Sequence, residues 1–181
     1  MGCTVIEALH LNATQLTGLL AFGGAAVACA RAALMGRGRL WWVLCAASSS
    51  FAIEVVAGLR HRGHDLIDAL LQAQGWYGSR GPVQVGLIAA VLLIGVWALV
   101  RLLRWRAADG FARAAVIACS VVLGLFFIEA ISLHGVDTIM YAYVGPVKAI
   151  GWAWAAAALA TAWAALRAAM PGREMPAVHR R

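Results

Sequence analysis

Two glutamates, Glu54 and Glu129, stand inside long apolar runs of this sequence. A charged side chain there costs on the order of 3 kcal/mol on membrane-insertion scales and normally faces a partner, a cavity or an ion. Two such carboxylates can bind a cation between them, share a proton as coupled acids, or each pair with an arginine such as Arg60 or Arg80. Further polar residues follow each one. After Glu54, His61, His64, Asp65 and Asp68 fall on one helical face, with Leu66, Ile67 and Leu70 on another. After Glu129 come Ser132, His134 and Asp137, the last two at a spacing of three that resembles the ligand spacing of four-helix dimetal carboxylate sites.

Glu54, Asp65, Glu129, His134 and Asp137 are therefore candidate metal ligands, with His61 and His64 as secondary candidates. Their oxygen and nitrogen donors, with no thiolate or thioether close in sequence, suit Fe, Mn or Zn better than Cu(I). For acid–base catalysis the candidates are Glu54, Glu129 and Arg80, the arginine being able to neutralise either glutamate or grip an anionic headgroup. Simpler roles compete with these. A histidine at a membrane interface is commonly solvated or capping, and Trp76-Tyr77, Trp41-Trp42 and Trp105 read as aromatic belts at headgroup level.

Familiar catalytic motifs are missing from the sequence. There is no HExxH, no HxxxH box, no Gly-rich phosphate loop and no CxxCH. The four cysteines, Cys3, Cys29, Cys45 and Cys119, lack metal-type spacing and read as small core residues.

The elements that position these groups follow from composition. With 63% of residues apolar, 13% charged and a mean hydropathy of +0.80, the chain has too little polar surface to cover a soluble globule. A bilayer core about 30 Å thick needs about 20 apolar residues per helix, which marks spans near 14–35, 40–59, 83–103, 112–133 and 147–169. Gly36-Arg37-Gly38-Arg39 makes a tight turn between the first two, and Pro82 and Pro146 sit where a first helical turn tolerates proline. The fold expected is an all-α polytopic membrane bundle of about five helices in a single domain over 1–181. Residues 60–82 form an outer loop with a short interfacial helix, and 170–181 a basic tail. The first run lacks a basic n-region and reads as a retained helix.

Orientation follows from charge. An odd number of spans puts Arg31, Arg37, Arg39, Arg101, Arg104, Arg106, Arg113, Arg167, Arg173, Arg180 and Arg181 on one side and Arg60, Arg62, Arg80 and Lys148 on the other, eleven against four of the 15 basic residues. The positive-inside rule makes the first side cytoplasmic, with the N-terminus outside a bacterial inner membrane. The +7 net charge is used up in this way and does not indicate nucleic acid. The candidate site then lies near the outer face.

Spans two and three also align with spans four and five. Phe51-Ala52-Ile53-Glu54 matches Phe126-Phe127-Ile128-Glu129, Gly63-His64-Asp65 matches Gly135-Val136-Asp137, and Gly81-Pro82-Val83 matches Gly145-Pro146-Val147. A parallel repeat of two hairpins would bring the glutamates to one depth. Gly75-Trp76-Tyr77-Gly78-Ser79-Arg80 with Gln84, and Ser132-Leu133-His134-Gly135-Val136-Asp137, resemble segments of uncharacterised bacterial polytopic membrane proteins, with Gly81 where their pattern has a second arginine. The resemblance covers about a quarter of the chain and implies no activity.

Three functions stay open: a metal-binding or acid–base site acting on a lipophilic molecule, a small cation- or proton-coupled transporter or channel, and a non-catalytic subunit of a membrane complex. The partners expected are the lipid bilayer and a hydrophobic small molecule or other membrane subunits.

Overall fold

The computed structural model describes residues 11–58, 80–104, 109–131 and 134–170, with the single positions 62, 69, 72 and 73. In chain order these contain helices α1 (Ala13–Leu34), α2 (Arg39–Ala57), α3 (Arg80–Leu103), α4 (Gly110–Ile131) and the short α5 (His134–Met140). A two-strand hairpin of β1 (Tyr143–Val144) and β2 (Val147–Lys148) follows, and helix α6 (Ala149–Ala169) ends the described chain. All but α5 among the helices are long and apolar enough to cross a bilayer, so the chain is a helical membrane protein.

Local chemistry sets the element ends. Asn12 caps α1 by accepting from the Gln15 backbone N–H at 2.9 Å, while Gln15 Oε1 accepts from the Asn12 N–H at 3.1 Å, a reciprocal capping box. Gly36 and Gly38 turn α1 into α2 with φ of +74° and +105°, a region a side chain would strain. Pro82 lies in the first turn of α3, as expected from its position. Pro146 does not open a helix. It sits in the hairpin turn beside Gly145, whose φ of +67° suits the first central position of a two-residue turn, and α6 begins only at Ala149.

Helices α1, α2, α4 and α6 form a bundle in two buried layers. One layer joins Ala28, Cys29 and Ala32 of α1, Trp41 and Leu44 of α2, Ala115 of α4, and Ala164, Ala165 and Ala168 of α6. Such small residues let helix backbones approach closely where lipid supplies no hydrophobic drive. Trp41 is only 1% exposed, so it is a core residue and not the interfacial anchor its sequence position suggested; Trp42 beside it faces outward. Their neighbouring positions on a helix point in different directions, which a Trp-Trp pair does not disclose.

The second layer has one aromatic ring from each helix: Phe22, Phe51, Phe126 and Trp154. Phe51 and Phe126 meet edge to face at 5.3 Å between centroids, Phe126 and Trp154 at 5.5 Å, and Phe22 touches Phe51 at 5.5 Å. The two layers also fix direction, because α1 and α6 enter through the aromatic layer and descend to the alanine layer while α2 and α4 ascend. Helix α3 stands outside this bundle and packs on α4, with its apolar side chains turned mostly outward. In the aligned segments, α2 and α4 thus run parallel, whereas α3 and α6 occupy unlike positions.

At the aromatic end, Gly151 of α6 packs tightly against Thr14 of α1 and Val147 of the hairpin. A Cβ on Gly151 would lie 2.7 Å from Val147 Cγ1 and 2.8 Å from Thr14 Cγ2, both in β-branched side chains with little freedom to move. Gly151→Leu should therefore destabilise the detergent-solubilised protein by about 1–3 kcal/mol, as overpacking does. Gly86→Ala, in open space on α3, should leave the thermal midpoint unchanged. An unshifted midpoint for Gly151→Leu would mean that α1 and α6 are not held this close.

Candidate functional site

The polar residues gather at the end of the bundle reached by the C-termini of α2 and α4. Glu129 lies in the last turn of α4 and is 3% exposed; Glu54 lies in the last turn of α2 and is half-buried. Each stands three residues after a phenylalanine, and those rings, Phe51 and Phe126, touch. Because the two helices ascend together, both glutamates stand at one depth, about one turn above the aromatic layer. A negative charge at a helix C-terminus is disfavoured by the backbone dipole, so a carboxyl kept there needs hydrogen-bond donors.

Glu129 has such a donor in Tyr141, whose hydroxyl donates to Oε1 at 3.0 Å. Tyr141 is placed by α5, since its backbone N–H bonds the Asp137 carbonyl at 2.9 Å. The hairpin then brings Lys148 back, with Nζ 4.7 Å from the Tyr141 ring centroid and 5.9 Å from that of Tyr143, so that a cation faces two aromatic rings. The hairpin is anchored in turn. Lys148 donates its backbone N–H to Thr14 Oγ1 at 3.1 Å, and the Trp152 indole donates to the Val144 carbonyl at 3.0 Å.

Two glutamines secure the helix ends that carry the carboxylates. Gln15 of α1 donates to the Val55 carbonyl at 3.3 Å, and Gln84 of α3 to the Ile131 carbonyl at 3.0 Å. Both acceptors belong to the last turn of a helix, where carbonyls lack intrahelical partners. Gln84, near the start of α3, therefore closes the end of α4, the helix carrying Glu129.

A cleft of about 80 Å³ opens beside Tyr141 and is lined by Asn12, Thr14, Gln15 and Lys148, with Trp154 at its wall. Larger apolar spaces, of about 270 and 420 Å³, lie between α3 and α4 around Gly95, Ser120 and Gly124. They are lined by no titratable group and sit where lipid surrounds the helices, so size alone does not mark the chemistry.

The structure joins Glu129 to Tyr141, whose backbone N–H bonds the Asp137 carbonyl, and it puts Glu54 at the same level. Asp137 is half-buried on α5. The backbones of Arg80 and His134 open α3 and α5, while their side chains, and all of His61, His64 and Asp65, lie outside the described residues. Among the described residues no three His, Cys, Asp or Glu side chains form a metal-holding group. Sequence reasoning missed Tyr141, Lys148 and Thr14. Tyr141 is 12 residues from Glu129 across a helix boundary, so no periodicity links the pair. The Asn12-Gln15 box was the signal available for the start of α1. Compared with known proteins, the chain matches no family model, no curated protein and no solved structure.

Proposed function

We propose that this protein carries an acid–base site at the outer face of a bacterial inner membrane, centred on Glu129, with its N-terminus outside and its basic tail in the cytoplasm. The observation that carries this reading is a nearly fully buried carboxyl held at 3.0 Å by a phenol whose residue lines a polar cleft and lies under a lysine. Buried carboxyls with specific hydrogen-bond partners next to a cleft are the usual groups of proton chemistry. The bacterial setting and the orientation rest on the resemblance at Gly75–Arg80 and on the eleven-to-four distribution of basic residues.

A one-sided site is favoured over a pore through the bundle. The four aromatic rings fill the bundle just below the glutamates, and the alanine layer packs tightly beyond them. A proton or substrate reaching Glu129 from the outer side therefore meets a closed floor. Any lipophilic substrate would arrive from the surrounding lipid. A metal reading keeps Glu129, Asp137 and His134 as ligands for Fe, Mn or Zn, with Glu54, Asp65, His61 and His64 as further donors, and elemental analysis separates it from the proton reading.

Purified protein in lipid vesicles should show, by infrared difference spectroscopy across a pH step, a carboxyl band that titrates and disappears in Glu129→Gln. Glutamine keeps the shape and much of the hydrogen bonding, so the variant should remain folded. Absence of any such band in the parent protein sinks the acid–base reading; near-stoichiometric Fe, Mn or Zn lost in Glu129→Gln would replace it with the metal one. Topology is tested separately. Reporter fusions after residue 36, near 108 and at the C-terminus should signal cytoplasm, and one near 72 the outside. A cytoplasmic signal at 72 would put the site on the wrong face.

A further inference from the structure

Tyr141 belongs both to the wall of the outer cleft and to the hydrogen bonding of Glu129. Its hydroxyl donates to Oε1 at 3.0 Å, and Lys148 Nζ, from another residue of the cleft wall, stands 4.7 Å from the ring centroid. The cleft's other walls supply hydrogen-bonding groups from Asn12, Thr14 and Gln15, and its volume of about 80 Å³ is ample for several waters, each needing roughly 10–15 Å³. On the opposite side, Phe126 and Trp154 pack against each other and close the route deeper into the bundle. Glu129 itself is almost fully buried, so a proton bound there has to pass a protein group to reach water.

We infer that the hydroxyl of Tyr141 relays protons between cleft water and Glu129. This inference rests on the acid–base reading of Glu129 and specifies how that group is supplied. In the loading step the phenol passes its proton to Oε1 of the carboxylate while its own oxygen takes one from a hydronium ion in the cleft. A water molecule is left behind and the phenol is regenerated; release is the reverse. Among the described side chains, the titratable groups on the elements packed around the relay are Lys148 on β2, Tyr143 on β1, Asp137 on α5 and Glu54 on α2; the side chain of His134, which opens α5, lies outside them. Lys148 over the ring stabilises electron density on the phenol oxygen as the proton leaves it. Tyr143, exposed on the same hairpin and also near Lys148, has the same chemistry without the bond to Glu129.

The test is the rate at which the Glu129 carboxyl exchanges hydrogen for deuterium after transfer of vesicle-embedded protein to heavy water, read as the shift of its infrared band. Tyr141→Phe should slow that exchange at least tenfold while the band remains, and Tyr143→Phe should leave the rate unchanged. Equal rates in Tyr141→Phe and the parent protein, or equal slowing by both variants, overturn the relay while leaving the acid–base site standing. Absence of the Glu129 band overturns both.

A second measurement covers the case in which Tyr141→Phe does not fold. The chain has three tyrosines, Tyr77, Tyr141 and Tyr143, so changing the other two to phenylalanine leaves Tyr141 as the sole site for fluorotyrosine incorporation. Fluorination acidifies the phenol with little change of shape and should alter the exchange rate severalfold. A purely structural tyrosine would leave it unchanged, and that result also overturns the relay.

Discussion

A carboxyl group buried in the last turn of a membrane-spanning helix has to find its hydrogen bonds within the protein, and Glu129 finds one in Tyr141. That requirement organises the polar end of the molecule. The chain must leave α4, turn through α5 and present Tyr141 back toward the helix it has just left. The hairpin after Tyr141 then returns Lys148 over the ring and ties it to Thr14, and Gly151 lets α6 start its descent directly against α1. Each of these contacts is modest by itself. Together they connect a buried acid to the packing of two helices far from it in sequence.

The rest of the bundle makes this end chemically isolated. Four aromatic rings, one from each central helix, lie beneath the glutamates and pack against one another, and small residues form the layer below them. Because lipid is as apolar as the helices, the association draws on dispersion and close fit more than on removal of surface from water. Close fit requires Ala and Cys at the contacts of the lower layer and glycine at position 151, where α6 starts against α1. Helix α3 sits outside this arrangement. Among the described residues, it contributes the Gln84 bond to the last turn of α4.

Five apolar stretches of membrane-spanning length were legible in the sequence, because a bilayer imposes a length and a composition that any window can read. The turn at Gly36 and Gly38 was equally plain, since only glycine accepts that backbone cheaply. Glu54 and Glu129 stood out for the same reason as the helices: a carboxylate in an apolar run violates the composition rule and attracts attention. Even their common depth follows from helix direction and the spacing of three from Phe51 and Phe126.

The faces of those helices were decided only by tertiary structure. Trp41 looked like a surface anchor and is core, and Pro146 looked like a helix opener and turns a hairpin, because burial depends on which neighbour arrives and not on the residue alone. The same holds for the site. Nothing in the spacing of Glu129 and Tyr141 links them, since the path between them crosses a helix boundary and a second short helix, and periodicity carries information only within one element. The unequal burial of Glu54 and Glu129 is likewise a matter of which helices surround each one. Sequence determined that this chain crosses a membrane and where its acids lie; the fold chose which acid is enclosed and which phenol reaches it, because that choice is made by contacts between segments distant along the chain.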